Sequence, residues 1–143
     1  MLALVARTEY KPHPNKISSL LYYLTVLISH DLSRPSLTDS HINMTSSYLD
    51  LSPLYGSTQA EQNLVRTFQN GSLKPDTLFD ARLDLYPQGV SALLICFSRF
   101  HNYVTAQLLE INESGKFAKD KDLAILDNNL FQTARLYVLH APF

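Results

Sequence analysis

The segment from Lys16 to about Leu32, ISSLLYYLTVLISHDL in its apolar part, most constrains what this chain can become. Its apolar residues fall nearly all round a helical wheel and lack the period-two alternation of a half-buried strand. That pattern predicts a buried helix, because a helix apolar on every side has no face to offer water. The rest of the chain supplies helices to cover it and almost no strands. Thr58-Gln-Ala-Glu61 has capping-box spacing and starts a short helix, QAEQNLVRTF, which Asn70-Gly71 ends. A long helix is expected from about Gly89 to Asn112. After the charged linker ESGKFAKDKD, a last helix is expected from about Leu123 to Leu139. Residues 1–14 form a proline-bearing lead-in, with Asn15 able to cap the first helix. Residues 33–45 and 72–88 read as loops. The expected fold class is all-α with long ordered loops, and irregular stretches of that length need an organiser.

With 143 residues, 45% hydrophobic and 17% charged, the chain is sized and composed for one globular domain. A net charge of −1 and the absence of a basic run point away from a nucleic-acid partner. The single cysteine, Cys96, excludes an internal disulfide framework, and its apolar setting VSALLICF predicts a buried, inert thiol. No apolar stretch reaches the roughly 18 residues a membrane span requires. The amino terminus MLALVARTEYKPHPNK is a poor signal peptide, so an intracellular location is expected, with peripheral membrane association left open. On that basis the sequons at Asn43, Asn70 and Asn112 are read as chance.

His30 closes the most apolar helix, where burial disfavours its charged form and keeps it available as a proton acceptor. The alternative is a helix-terminal histidine bonded to a carbonyl. Asp31 follows at the helix carboxyl end, on the unfavourable side of the helix dipole, and needs compensation from Arg34 or a metal. The stretch SSYLDLSPLYGS places oxygen-bearing side chains at Ser46, Tyr48, Asp50 and Ser52, every second residue. In an extended backbone these face one way, which suits either a strand with one polar face or a calcium loop of mixed oxygen ligands. It lacks the central Gly and terminal Glu of an EF-hand. His101 and Asn102 lie mid-helix and read as packed, hydrogen-bonded residues. His13, His41 and His140 carry no spacing signal. Gln132 and Arg135 share a helix face and form either a carboxylate clamp or a surface pair. No Cys/His metal cluster, phosphate loop, nucleophile elbow or paired-carboxylate glycosidase pattern is present.

HPNKISSLLYYL…ISHDL, SSYLDLSPLYGS, EQNLVRTFQNGSLKPD, FSRFHNYV and LFQTARL occur in order over residues 7–136. Together they resemble blocks of the haem peroxidase–cyclooxygenase superfamily, and most of all the fungal fatty-acid dioxygenases (linoleate diol synthases and psi-factor-producing oxygenases). The resemblance implies a partial haem-peroxidase-like helical domain that binds haem b and calcium. His30 would be the distal haem histidine and catalytic proton acceptor. Asp31, Ser46, Tyr48 through its carbonyl, Asp50 and Ser52 would hold calcium. Haem and peroxide would generate a tyrosyl radical, which takes a hydrogen from an unsaturated fatty acid such as linoleate before dioxygen adds. Val26 stands where the peroxidase branch has a Gln, which leaves the dioxygenase branch in place. In the family the proximal histidine and radical tyrosine come later, in a Tyr-x-x-His motif. The tail LYVLHAPF departs from the family pattern, and His140 follows FQTAR too closely to be that ligand. The expectation is therefore a distal-side fragment, inactive alone. Two alternatives stand beside it: a non-catalytic calcium-binding helical module from a truncated paralogue, and a chain that does not fold stably by itself. Arg82 has the chemistry to meet a carboxylate, with no motif behind it.

Overall fold

The computed structural model describes Glu9, residues 11–117 and residues 122–140, with Asp84 described in its backbone alone. Most of the amino-terminal lead-in, part of the charged linker and the last three residues lie outside the described residues, and so does the signal-peptide reading. Among the described residues five α-helices follow in order: α1 Ser19–Leu32, α2 Ser52–Tyr55, α3 Gln59–Val65, α4 Gln88–Ile111 and α5 Leu123–Leu139, with 3-10 turns at Ala81–Leu85 and Glu113–Gly115 before and after α4. Among the described residues there are no strands, only isolated antiparallel bridges at Pro35–Asn43 and Arg66–Leu73. The all-α expectation holds.

The frame is α4 packed along α5, with α1 laid across α4 and the short α2 wedged beside α1. Leu27, Leu54, Tyr55, Val65, Leu73, Leu83, Val90, Leu94, Phe131 and Val138 form the main core. A smaller cluster of Phe117, Leu126 and Leu130 lies at the other end of α5. The contributors from α4, Val90, Leu94, Ser98, His101 and Thr105, recur at spacings of three and four, so one stripe of a 24-residue helix carries its packing.

Local signals in the chain placed several boundaries well. The capping box at α3 is complete: Glu61 N donates to Thr58 Oγ1 at 3.2 Å, and Glu61 Oε2 accepts from Thr58 N at 3.1 Å. The helix is shorter than expected, because at Arg66 the backbone turns extended and pairs with Leu73 across the Asn70-Gly71 turn. The α1 start also differs. Ser18, not Asn15, caps it, its Oγ accepting from Leu20 N at 3.1 Å, while Lys16 has a φ of 56° that no helix admits.

Two burial expectations are corrected. In α1 only Leu27 and Asp31 are buried, while Leu20, Leu21 and Tyr22 are 55%, 53% and 57% exposed. The all-round apolar pattern states what the helix can bury; among the described residues, contact is made along one side only. Cys96 is exposed, because α4 turns it away from the stripe that carries Leu94, Ser98 and His101.

Candidate functional site around His30

His30 sits in the last turn of α1, half-buried. Its Nδ1 lies 2.9 Å from the carbonyl oxygen of Val26, four residues back. A carbonyl only accepts, so Nδ1 carries the hydrogen, and in the tautomer with that hydrogen alone Nε2 is the acceptor. The ring thus makes the carbonyl bond of a helix-terminal histidine and keeps its second nitrogen unused. The ring also meets Tyr86 edge-to-face, with centroids 4.7 Å apart and planes at 79°.

Tyr86 follows the 3-10 turn Ala81–Leu85, which Asp80 organises. Asp80 Oδ1 accepts from the Arg82 amide at 3.0 Å and from Arg82 Nε at 2.9 Å, and Oδ2 accepts from Arg82 Nη2 at 2.6 Å. Burial pushes the Asp80 carboxyl up, but the hydrogen bonds and charge of Arg82 outweigh it and hold the group below its usual range, with His30 contributing in the same direction. The carboxylate is therefore within electrostatic reach of the imidazole. Arg82 is committed to Asp80 by two side-chain nitrogens, so it is a paired cation. Nothing in the spacing of Asp80 and Tyr86 marked them; each acts across some fifty residues on a helix terminus.

Asp31 is buried, and its compensation differs from the expectation. Its Oδ2 accepts from Leu51 N at 2.9 Å; its Oδ1 accepts from Ser52 N at 2.7 Å and from Ser52 Oγ at 2.8 Å. Burial pushes its carboxyl up, the bonds from Ser52 and Leu51 pull it back, and Asp50 adds a further upward push, leaving a net rise. Arg34, the expected partner, instead donates to Glu61 at 2.7 Å and lies over the Phe79 ring at 5.0 Å.

The loop Ser46–Ser52 is not an extended strand. Ser47 and Leu51 have φ of 60° and 54°, which breaks the every-second-residue alternation, and Ser52 begins α2. Its oxygen groups fall into two sets. Ser52 joins Asp31, while Ser46 Oγ donates to Asp50 Oδ2 at 3.0 Å. Tyr48 extends its ring into solvent, 77% exposed, and its carbonyl accepts from Asp50 N at 2.9 Å. Arg135 reaches Asp50 from α5, 3.3 Å to Oδ2 and 3.4 Å to the backbone oxygen, with its guanidinium 5.2 Å over the Tyr55 ring. Arg135 thus clamps a carboxylate rather than forming a surface pair. The buried Asp50 Oδ1 has no hydrogen-bond partner. Among the described residues no group of three or more His, Cys, Asp or Glu side chains is arranged to hold a metal.

His101 shows the contrasting use of a histidine. It is 0% exposed; Nε2 donates to the Gly71 carbonyl at 2.9 Å and Nδ1 accepts from Tyr55 Oη at 3.0 Å. Burial lowers its pKa to about 4, with the charges of Arg66 and Arg135 adding to the effect. Next to it, Asn102 accepts from Leu73 N at 2.8 Å and donates to Leu73 O at 3.1 Å, and Asp127 on α5 accepts from Gly71 N at 2.5 Å. The loop after α3 is therefore held by side chains from both long helices. Tyr137 and His140 have the Tyr-x-x-His spacing, and His140 Nδ1 donates to Leu136 O at the exposed end of α5, as His30 Nδ1 does to Val26 O.

The Animal haem peroxidase family profile matches residues 23–89, the span that carries His30, Asp31, the Ser46–Ser52 loop and Tyr86. Psi-producing oxygenase A of Emericella nidulans is 56% identical over 138 residues, covering 93% of this chain and 13% of that protein. Linoleate diol synthase of Gaeumannomyces graminis is 54% identical over 134 residues, covering 90% and 12%. Linoleate 10R-lipoxygenase of Aspergillus fumigatus is 46% identical over 143 residues, covering 93% and 13%. The chain spans about 13% of the length of such relatives. No solved structure matches it. This helical chain carries a match to the Animal haem peroxidase family over residues 23–89, the span with His30, and is similar to the fungal fatty-acid oxygenases.

Proposed function

We propose that this chain forms the distal side of a haem pocket in a fatty-acid oxygenase, with His30 as the proton acceptor. The observation that carries the reading is the His30 ring itself: Nδ1–H committed to Val26 O, Nε2 left as an acceptor, in the family-matched span. The family implies haem, and a neutral imidazole with one free acceptor, fixed at a helix end, fits the face of that group where a proton must be removed. Haem, when bound, would supply the redox chemistry that uses peroxide to activate a substrate hydrogen. His30 would take a proton from the peroxide at Nε2, with Val26 O accepting from the other nitrogen.

The substrate class follows from the relatives, whose names specify linoleate and oxygenation; the proposed substrates are an unsaturated fatty acid and dioxygen or peroxide. A proximal ligand and a radical tyrosine are not assigned to residues of this chain, so the 143 residues alone are proposed to be inactive. Haem titration of the purified chain, followed at the Soret band, tests the site. Weaker haem binding in His30→Ala, with linoleate hydroperoxide formation no higher than with free haem, is the expected result. Unchanged binding in the variant, or robust hydroperoxide formation by the chain, contradicts the reading.

Calcium is proposed for the loop between Asp31 and Asp50. The supports are the buried, unpartnered Asp50 Oδ1 and the upward push that Asp50 gives the Asp31 carboxyl. Asp31, Ser46, the Tyr48 carbonyl, Asp50 and Ser52 would supply its oxygens, with Asp50 turning from Arg135. Calcium-dependent thermal stabilisation that disappears in Asp50→Asn is expected; stabilisation that survives the substitution rejects this loop as the site.

A further inference from the structure

We infer that Tyr86 is a positioning residue for His30, using its ring rather than its hydroxyl to hold the imidazole in the orientation that leaves Nε2 free. The inference rests on the reading of His30 as a proton acceptor, and it deepens that reading by naming the group that keeps the acceptor aimed. An imidazole has a broad, two-fold preference about its outer torsion. Turned by half a revolution, the His30 ring would present carbon to Val26 O and lose its one hydrogen bond. That bond sits in the last turn of α1, where helix ends fray, and the ring is only half-buried. A single contact of this kind is a weak lock.

Tyr86 supplies a second contact at right angles to the first. Its ring stands edge-to-face with the imidazole, 4.7 Å between centroids, a geometry that aromatic quadrupoles favour. The base on which it stands is rigid. Tyr86 N donates to Leu83 O at 3.1 Å, and Leu83 is fully buried in the main core. The same turn is capped by Asp80, itself clasped by Arg82. Pro87 follows, with its φ fixed at −53°, and α4 begins one residue later. A large aromatic ring that remains 39% exposed, on so firm a base, with a histidine against it, is placed to act on that histidine.

Nitrogen-15 labelling of the histidines tests this without haem. Long-range proton–nitrogen correlations above the histidine titration report which ring nitrogen carries the hydrogen, and carbethoxylation followed on the His30 peptide reports how accessible and mobile the ring is. In the native chain and in Tyr86→Phe, His30 is expected as the single Nδ1–H tautomer. In Tyr86→Ala a mixture of tautomers is expected, with carbethoxylation faster by about fivefold, the effect of losing one aromatic pair. His101 in the same spectra serves as the folding control, since its tautomer is set by Gly71 and Tyr55. An unchanged His30 tautomer and reactivity in Tyr86→Ala, with His101 intact, overturns the inference. So does a Tyr86→Phe chain that behaves like Tyr86→Ala, because the hydroxyl would then be the acting group. Loss of the His101 signature in Tyr86→Ala also overturns it, by showing that Tyr86 supports the fold at large. If Tyr86 holds the ring but haem binding ignores His30, the failure lies in the proposed function and not in the positioning.

Discussion

His30 and His101 are the same residue type on two helices of one small frame, and they are used in opposite ways. His101 is wholly enclosed, with both nitrogens consumed by Tyr55 and Gly71, and burial drives its pKa down to about 4. His30 is half-open, with one nitrogen consumed and one free. The two histidines therefore differ in unspent hydrogen-bonding capacity near solvent, which neighbouring residue types do not reveal. An imidazole with no spare nitrogen and a penalty on its charge can organise a loop but cannot relay a proton.

The largest effect expected from this contrast is on stability. His101→Ala removes a buried ring and orphans both the Tyr55 hydroxyl and the Gly71 carbonyl, and should cost about 3 kcal/mol or more in chemical denaturation. A loss below about 1 kcal/mol would mean that His101 is not the clamp described. The pH dependence is next. Because the folded-state pKa of His101 lies below its ordinary 6.5, the unfolded chain binds the proton more readily. Its contribution is present in full above about pH 6.5 and is lost as pH falls toward 4. The shift corresponds to about 3 kcal/mol of unfolding free energy. Denaturation of native and His101→Gln chains at several pH values checks this: the difference between them should shrink on acidification, and a constant difference would break the assignment.

The third expectation concerns what His101 holds. Gly71 has a φ of +72°, and a Cβ there would lie 2.5 Å from Phe131 N and 2.7 Å from Leu130 Cβ. Gly71→Ala should therefore cost roughly 2 kcal/mol through strain in the turn and displacement of α5. Hydrogen exchange should show Leu73 N losing protection with it, while amides of α1 are unaffected. The smallest effect belongs to the other histidine. His30→Gln should change stability by about 1 kcal/mol at most, since one helix-end hydrogen bond and one edge-to-face ring pair are lost. A larger loss would move His30 into the same class as His101 and remove the basis for the contrast.

How legible these roles were in the sequence depended on range. The Thr58–Glu61 box, the Asn70-Gly71 turn and the limits of α4 and α5 were legible because caps, turn residues and periodicity act within a few positions. The pairing of Asp31 with Leu51 and Ser52, of Arg135 with Asp50, and of Tyr86 with His30 joins residues 20 to 85 positions apart, where spacing carries no signal. Family blocks drew attention to His30 and Asp31, but not to Asp80 or Tyr86, whose neighbours ARLDLYP read as a plain loop. The burial of α1 was misread for a different reason. Hydrophobicity describes what a helix is able to bury, whereas exposure depends on which partners lie against it, and among the described residues only one side of α1 has them.

The contrast between the two histidines is tested most directly by adding haem to the chain with nitrogen-15-labelled histidines. The iron of haem is paramagnetic and broadens the signals of nearby nuclei. If His30 faces the haem and His101 lies inside the frame, the His30 ring signals should broaden beyond detection at stoichiometric haem while those of His101 stay sharp. Sharp His30 signals beside bound haem, or equal broadening of both rings, would contradict the account.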